Sequence, residues 1–185
     1  MKSYSKEDRP FDHSSHNSPV NVALNIEVNF LSDISVKRME YQMDLVLFAR
    51  WRDDRLALNS SDFEGRQGNS AKPASIGYLK NKLWMPDLFY RNSKEINTFD
   101  LLQPNTLVWL YPKGHVVFSQ KIRVVLNCPL DLWNFPFDTQ YCKAIISSYG
   151  YTEDDLLLKW AVSVGKNNLK QKYFFILYII NDSFR

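Results

Sequence analysis

The only two cysteines of this chain, Cys128 and Cys142, enclose 13 residues that include two prolines and four aromatic side chains. Zinc usually takes about four Cys or His ligands at short spacings, and no histidine lies inside or beside this segment. We therefore interpret the two thiols as a local disulfide rather than a metal site. In the chain-entropy account, closing a loop of this length would stabilise the fold by about 3 kcal/mol. On composition alone, the pair is a structural staple of a secreted β domain.

Other residues that could carry chemistry are dispersed. The sequence has no Gly-x-Ser-x-Gly nucleophile motif, no glycine-rich phosphate loop and no His-Glu-x-x-His zinc motif. The three histidines are scattered along the chain, at His13, His16 and His115. The adjacent aspartates fall in predicted turns, at Asp53-Asp54 and Asp154-Asp155. We therefore predict no enzymatic activity, no cofactor and no bound metal.

Aromatic clusters are the second candidate for a functional site. Most aromatic side chains of a β-sandwich belong to its core, and Phe89-Tyr90 and Trp160 fit that interpretation. Tyr149 and Tyr151, however, flank a glycine within a segment of turn-forming residues. Aromatic residues at loop tips often form recognition surfaces, and tyrosine faces attract ammonium groups. Core packing and ligand recognition both remain open for this segment.

Composition and periodicity predict the fold class. A chain of 185 residues with 45% hydrophobic and 15% aromatic side chains suits one globular domain rich in strands, and its net charge of +3 without basic runs does not indicate a nucleic-acid partner. Apolar residues alternate with polar ones over 20–30 and 39–51, and shorter strands are predicted over 106–111, 115–126, 143–148 and 156–160. The inward set of the second strand is Met39, Tyr41, Met43, Leu45, Leu47 and Ala49. Strands without helices between them predict an antiparallel β-sandwich.

The sequence is less informative about the two ends of the chain and about the cellular compartment. Residues 1–19 are polar and predict a loose N-terminal arm. No apolar leader is visible at the start, and the most apolar segment near the end, 173–180, is far shorter than the roughly 20 residues of a membrane-spanning helix. The Asn59-Ser60-Ser61 triplet is a possible glycosylation acceptor, which together with the predicted disulfide favours an oxidising compartment.

Several motifs in order resemble one receptor family. They are Pro19-Val20-Asn21-Val22, Trp51-Arg52-Asp53-Asp54-Arg55-Leu56, Leu83-Trp84-Met85-Pro86-Asp87-Leu88-Phe89, the Cys128–Cys142 loop with its Phe-Pro-Phe-Asp core, and Ser148-Tyr149-Gly150-Tyr151-Thr152. Together they resemble the extracellular ligand-binding domain of Cys-loop pentameric ligand-gated ion channels. The details, including Asn92, look most like the anion-selective GABA, glycine and glutamate branch. The resemblance implies an immunoglobulin-like β-sandwich over 20–160.

The resemblance also implies a ligand site between neighbouring subunits. Its principal face would contain Phe89, Ser148, Tyr149 and Tyr151, and its complementary face Val46, Phe48, Ser119 and Lys121. The complementary face departs from the family pattern, because Val46 has no π face and Phe48 cannot pair with a carboxylate as arginine would. Lys121 keeps the positive charge of an arginine without its bidentate fork. GABA, glycine, glutamate, an amine, protons and a metal ion therefore stay open as ligands.

By the same resemblance, the partners are related subunits in a homo- or hetero-pentamer at the extracellular side of the plasma membrane. The Cys128–Cys142 loop would press on a membrane domain, with Trp133, Phe135 and Pro136 in apolar contact and Asp138 facing an arginine. A simple turn carboxylate is the alternative for Asp138. An interpretation from another functional class is a soluble, secreted pentameric binding protein of the same fold; an unrelated immunoglobulin-like adhesion domain is a third.

The segment 161–185 departs from the resemblance. It has a polar, lysine-rich first half and a short apolar run where the family would continue with further strands and membrane helices. We interpret it as a truncated or alternatively spliced end, or as an incorrect gene model. Losing the final strands would leave unpaired edges and apolar surface, so we expect the isolated chain to be marginally stable.

Overall fold

Ten strands form the part of the chain that the computed structural model describes, namely residues 4–10, 18–57, 73–161 and, for the backbone alone, 173–179. They are β1 (Val20–Ser35), β2 (Glu40–Arg52), β3 (Ala74–Ser75), β4 (Leu88–Tyr90), β5 (Ser93–Thr98), β6 (Thr106–Tyr111), β7 (His115–Asn127), β8 (Gln140–Ser148), β9 (Leu156–Trp160) and β10 (Tyr173–Ile179). Within these residues the helical structure is limited to short 3-10 turns at Asp54–Leu56, Gly77–Lys82 and Pro112–Gly114.

The strands form two sheets. The larger has the order β3-β6-β7-β2-β1-β9, with β5 also paired to β7, and the smaller has the order β10-β8-β4. The prediction of an all-β sandwich is confirmed. Most neighbours are antiparallel, but β1 pairs with β9 and β8 pairs with β10 in parallel. Parallel neighbours require a long crossover, which strand periodicity does not reveal.

The core follows the predicted alternation. In β2, Tyr41, Met43 and Leu45 are buried and the intervening residues lie on the outer face. Met39 is the exception to the predicted inward set, because it is 40% exposed. Its φ of 49° places it in a turn whose backbone N–H donates to the carbonyl of Val36, so the alternation begins only after it.

The turn between β6 and β7 requires a glycine. Gly114 has a φ of 76°, and a Cβ there would lie 2.2 Å from the backbone oxygen of Asp53. In return, the Asp53 N–H donates to the Gly114 carbonyl over 2.8 Å. This Pro112-Lys113-Gly114 turn also closes over the segment that follows β2.

Four strands were not predicted. β4 has only three residues and pairs with β8. β5 is polar and mostly exposed, so it shows no alternation, and it pairs along the second half of β7. β3 has only two residues, and β10 lies in the segment interpreted as divergent. In each case pairing with a neighbour defines the strand, whereas the local pattern does not.

Residues 4–10 are held against the domain, so the expectation of a loose arm is wrong for them. The Tyr4 hydroxyl donates to Asp53 Oδ2 over 3.2 Å and accepts from the backbone N–H of Trp84 over 2.9 Å. Burial raises the pKa of this phenol above its ordinary value. Arg9 pairs with Asp155 at 3.1 Å. The polar composition of the N-terminal residues did not indicate these contacts.

Asp53 is fully buried and anchors this end of the sandwich. Its two carboxylate oxygens accept from Nε and Nη2 of Arg55, each over 2.8 Å. This bidentate pair raises the pKa of Arg55, whose guanidinium also lies 4.5 Å from the Tyr4 ring centroid. Arg55 Nη1 donates to the carbonyls of Ser5 and Asp8 over 3.1 and 3.0 Å. The Trp-Arg-Asp-Asp-Arg-Leu motif is therefore a structural anchor.

Candidate ligand-binding and coupling sites

The predicted principal face contains an aromatic corner at the end of the smaller sheet. The rings of Phe89 and Tyr149 meet edge to face, with centroids 5.6 Å apart. Pairing of β4 with β8 sets Phe89 opposite Ser147 and so brings Phe89 next to the loop that carries Tyr149. Phe89 is half-buried and Tyr149 is 74% exposed. The corner thus presents a π surface to a ligand or a neighbouring chain.

Asp87 shapes this corner, and the sequence did not single it out. Its side chain accepts hydrogen bonds from the Ser148 hydroxyl and, over 2.6 Å, from the Gly150 N–H. Its backbone carbonyl accepts from the Tyr149 N–H over 3.2 Å. The available signal was the Pro-Asp pair before a strand, which also occurs in ordinary turns.

The polar groups of the other two predicted principal-face residues are engaged within the domain. The Ser148 hydroxyl, besides donating to Asp87, accepts from the Tyr151 N–H over 3.0 Å. The Tyr151 hydroxyl accepts from Trp84 Nε1 over 3.0 Å. Both residues position the corner, and their direct contact with a ligand stays a prediction.

We expect Asp87→Ala to loosen the 148–151 loop and to lower the free energy of unfolding by about 1–3 kcal/mol, because the buried Ser148 hydroxyl and the exposed Gly150 N–H lose their acceptor. Urea denaturation measures the stability, and hydrogen exchange of the Gly150 amide reports the loop. The control is Asp100→Ala, since that exposed aspartate accepts a bond of 3.3 Å from Thr98. Equal, small losses for both variants would contradict the assigned role of Asp87.

The predicted complementary face is assembled by the pairing of β2 with β7. Val46 lies opposite Lys121, and Phe48 lies opposite Ser119, on the outer side of the larger sheet. A cleft of about 640 Å³ is lined by Val46, Ser119 and Lys121 together with the 101–107 segment. Phe48 lies outside this lining. The structure therefore brings the four residues together, and three of them line the cleft.

The cleft has an unneutralised positive charge. Arg123 forms a bidentate pair with Asp44, at 2.6 and 2.8 Å, which holds the pKa of Asp44 below its ordinary value. Lys121 lies 4.7 Å from the Phe99 ring centroid, and no carboxylate of the described residues lies within ion-pair distance of its Nζ. A carboxylate or another anion suits this position.

The two faces belong to different sheets of the domain. The aromatic corner is carried by β4 and the end of β8 in the smaller sheet, and the cleft by β2 and β7 in the larger one.

The structure confirms the predicted disulfide between Cys128 and Cys142, whose Cα atoms lie 5.2 Å apart. Between them, Trp133, Phe135 and Phe137 are exposed to 90%, 68% and 89%. The loop thus holds a cluster of solvent-facing aromatic rings beyond the end of the sandwich. Exposed apolar surface of this kind is typical of an interaction site.

A family model for the neurotransmitter-gated ion-channel ligand-binding domain matches residues 1–183. The chain belongs to this family. Its members are receptors rather than enzymes, and the resemblance predicted from the motifs is confirmed. The match also includes most of the 161–185 segment, whose interpretation as a truncation or gene-model error stays a hypothesis.

Individual receptors agree with this placement. Glycine receptor subunit beta of Rattus norvegicus is 40% identical over 142 residues, which are 77% of this chain and 28% of the receptor subunit. The glutamate-gated chloride channel of Drosophila melanogaster is 34% identical over 172 residues, 89% of this chain and 35% of that protein. Gamma-aminobutyric acid receptor subunit rho-2 of Rattus norvegicus is 37% identical over 139 residues, 75% and 28% of the respective lengths. The chain therefore spans only about a third of the curated relatives that it matches.

Within this ligand-binding domain, Asp138 has a local partner. Its Oδ2 accepts a hydrogen bond from Nε2 of the buried Gln140, which also donates to the Asp131 carbonyl over 2.5 Å. The neighbouring Phe135–Pro136 peptide bond is cis. The predicted contacts of Asp138 with an arginine and of Pro136 with a membrane domain stay predictions.

Asn92 joins the sheets beside the disulfide. Its Nδ2 donates to the carbonyls of Asn127 and Lys143 over 3.0 and 2.7 Å, and its Oδ1 accepts from the Ile145 N–H over 3.2 Å. These residues lie next to the two cysteines on β7 and β8. Asn92, one of the residues behind the resemblance, therefore fixes the base of the loop.

The remaining predictions concern sites that the structure does not test. Asn59, His13 and His16 lie outside the described residues. Among the residues that are described, no group of three or more His, Cys, Asp or Glu side chains could hold a metal ion. In the same residues, no helix has the length and apolarity needed to cross a bilayer.

Proposed function

We propose that this chain is the extracellular ligand-binding part of a subunit of a pentameric, anion-type ligand-gated channel. The observation that carries the proposal is the separation of an aromatic corner and a cationic cleft on different sheets of one domain. Two such surfaces complete one site when neighbouring chains place the corner of one beside the cleft of the other. A closed ring of identical or related subunits repeats this arrangement at each interface.

The two half-sites suit a ligand with opposite charges at its ends. The exposed ring of Tyr149, which meets Phe89 edge to face, attracts an ammonium group, and Lys121 attracts a carboxylate. Because Lys121 offers a point charge in place of a bidentate fork, orientation of the carboxylate depends less on this residue than it would on an arginine. The relatives named for glycine, glutamate and gamma-aminobutyric acid support a small amino acid and an anion-selective pore.

The Cys128–Cys142 loop couples the site to a pore in this proposal. Ligand binding favours one arrangement of neighbouring domains, and the exposed rings of Trp133 and Phe135 transmit the change to a membrane domain. The domain then lies outside the plasma membrane, where the disulfide is stable and Asn59 is a candidate glycosylation site. A soluble pentameric binding protein with the same interface is the second candidate.

We expect Tyr149→Ala to weaken binding of an amino-acid ligand by about tenfold, since the variant loses the π face that meets the ammonium group. Titration calorimetry of the assembled chain with glycine, glutamate and gamma-aminobutyric acid measures the effect, and light scattering gives the oligomeric state. Phe30→Ala is the control, because Phe30 is 64% exposed on β1 and lines neither the cleft nor the aromatic corner.

Currents from a membrane-anchored subunit that carries this chain separate the two candidates. Ligand-evoked chloride currents that Tyr149→Ala weakens and Phe30→Ala leaves unchanged support the channel. Binding without current supports the soluble binding protein. Equal losses in both variants, or a strictly monomeric chain that binds fully, would contradict an interfacial site.

A further inference from the structure

A second cavity lies inside the sandwich, behind the aromatic corner. It has a volume of about 310 Å³ and is lined mainly by apolar side chains from both sheets, among them Leu47, Ala49, Phe118 and Ile146. Ile96 also lines the cavity and is 44% exposed, so the cavity opens to solvent at that side. A water molecule occupies about 30 Å³ in the liquid, so the cavity has room for a ligand of about ten non-hydrogen atoms.

The cavity has a single buried hydroxyl that lacks a partner. Tyr90 lines the cavity and is 4% exposed, and its hydroxyl forms no hydrogen bond with any described residue. Burial raises the pKa of Tyr90, so the phenol stays neutral and remains a donor at physiological pH. An unpaired donor at a buried position is costly to the fold, and a ligand acceptor would relieve that cost.

The charges around the cavity limit the class of ligand. Lys80 is the one charged residue in the lining, and its Nζ lies 5.3 Å from the Phe118 ring centroid. A cationic ligand would be repelled at this position. An anion would lose much of its hydration in a mainly apolar lining, so a neutral molecule is favoured. The apolar lining favours a hydrophobic body.

We propose that this cavity binds a small, neutral, apolar molecule whose one hydrogen-bond acceptor oxygen accepts from the Tyr90 hydroxyl. Such a ligand would lie within one chain, behind Phe89, which also lines the cavity. Occupancy would therefore support the aromatic corner from inside the domain. The proposal does not depend on assembly or on channel activity.

Acetophenone and isopropylbenzene test this proposal, because they have nearly the same shape and only the first has an acceptor oxygen. Each compound is titrated into the 185-residue chain, and binding is detected by chemical-shift changes or calorimetry. We expect acetophenone to bind about threefold to tenfold more tightly, which corresponds to the net free energy of one hydrogen bond. Tyr90→Phe is expected to bind both compounds equally. It should also melt at a higher temperature than the parent when free, since it removes an unpaired buried hydroxyl.

Two further variants serve as a control for removing a hydroxyl and as a test of the cavity volume. Tyr41→Phe is the matched control: the Tyr41 hydroxyl donates to the Lys143 carbonyl over 3.2 Å, so this variant should lose stability and retain the preference for acetophenone. Ala49→Val narrows the cavity and should weaken both compounds. The proposal is wrong if neither compound binds the parent chain, if both bind it equally, or if Tyr90→Phe keeps the preference or melts at a lower temperature.

Discussion

Replacing Asp53 by alanine is expected to lower the free energy of unfolding by about 3–5 kcal/mol, the largest effect we predict for a single residue. Asp53 is fully buried, and its bidentate partner Arg55 has a side chain that is only 16% exposed. The variant leaves the Arg55 guanidinium without its charge partner at a position that is poorly accessible to water. Tyr4 loses its acceptor as well, so residues 4–10 should detach together with the anchor.

Chemical denaturation measures this loss, and the neighbouring ion pair gives a matched control. Arg52 and Asp54 form a bond of 2.6 Å that is shorter than those of Arg55 with Asp53, but the Arg52 side chain is 57% exposed. We expect Arg52→Ala to change the free energy of unfolding by less than about 1 kcal/mol. Similar losses in the two variants would show that burial does not distinguish these pairs and would refute the anchor.

The second large effect is expected from the disulfide. Replacing Cys128 and Cys142 together by alanine should lower the free energy of unfolding by about 3 kcal/mol, because the unfolded chain regains the freedom of a loop with a sequence separation of 14. Both cysteines are buried, so alanine also removes a small apolar contact. Reduced parent protein is the control for that contact, since it keeps both sulfur atoms.

This prediction also bears on coupling. Asn92 holds β7 and β8 next to the cysteines, so the double variant should keep the base of the loop and free its aromatic tip. In a membrane-anchored subunit we expect ligand binding to survive and evoked current to fall. An unchanged stability after both replacement and reduction would contradict a stabilising role for the disulfide.

Strand periodicity predicted most of the framework because burial on one face imposes a period of two. Thus β1, β2, β6, β7, β8 and β9 were foreseen, and so was the inward face of β2 apart from Met39. The strands β3, β4, β5 and β10 escaped prediction, since they are very short, polar or defined by pairing with distant partners.

The candidate site could be predicted only in part. The resemblance indicated Phe89 and Tyr149, and the structure shows that their rings are in contact. It also indicated Ser148 and Tyr151, whose hydroxyl groups form hydrogen bonds within the domain. Asp87 was missed because an aspartate before a strand has no feature that distinguishes a loop organiser from a turn former. Its role depends on the Gly150 amide, 63 residues away in sequence.

The family, the all-β class and the disulfide could be read from the amino-acid sequence, because these depend on residue type, order and local spacing. Tertiary structure decided which residues of β2 and β7 lie opposite each other, such as Val46 and Lys121, how Asp53 and Tyr4 meet, and where an apolar cavity with the unpaired Tyr90 hydroxyl remains. Each of these depends on contacts between segments far apart in the chain. The physical reason is that burial, charge pairing and hydrogen-bond satisfaction are properties of the packed fold, which no local pattern contains.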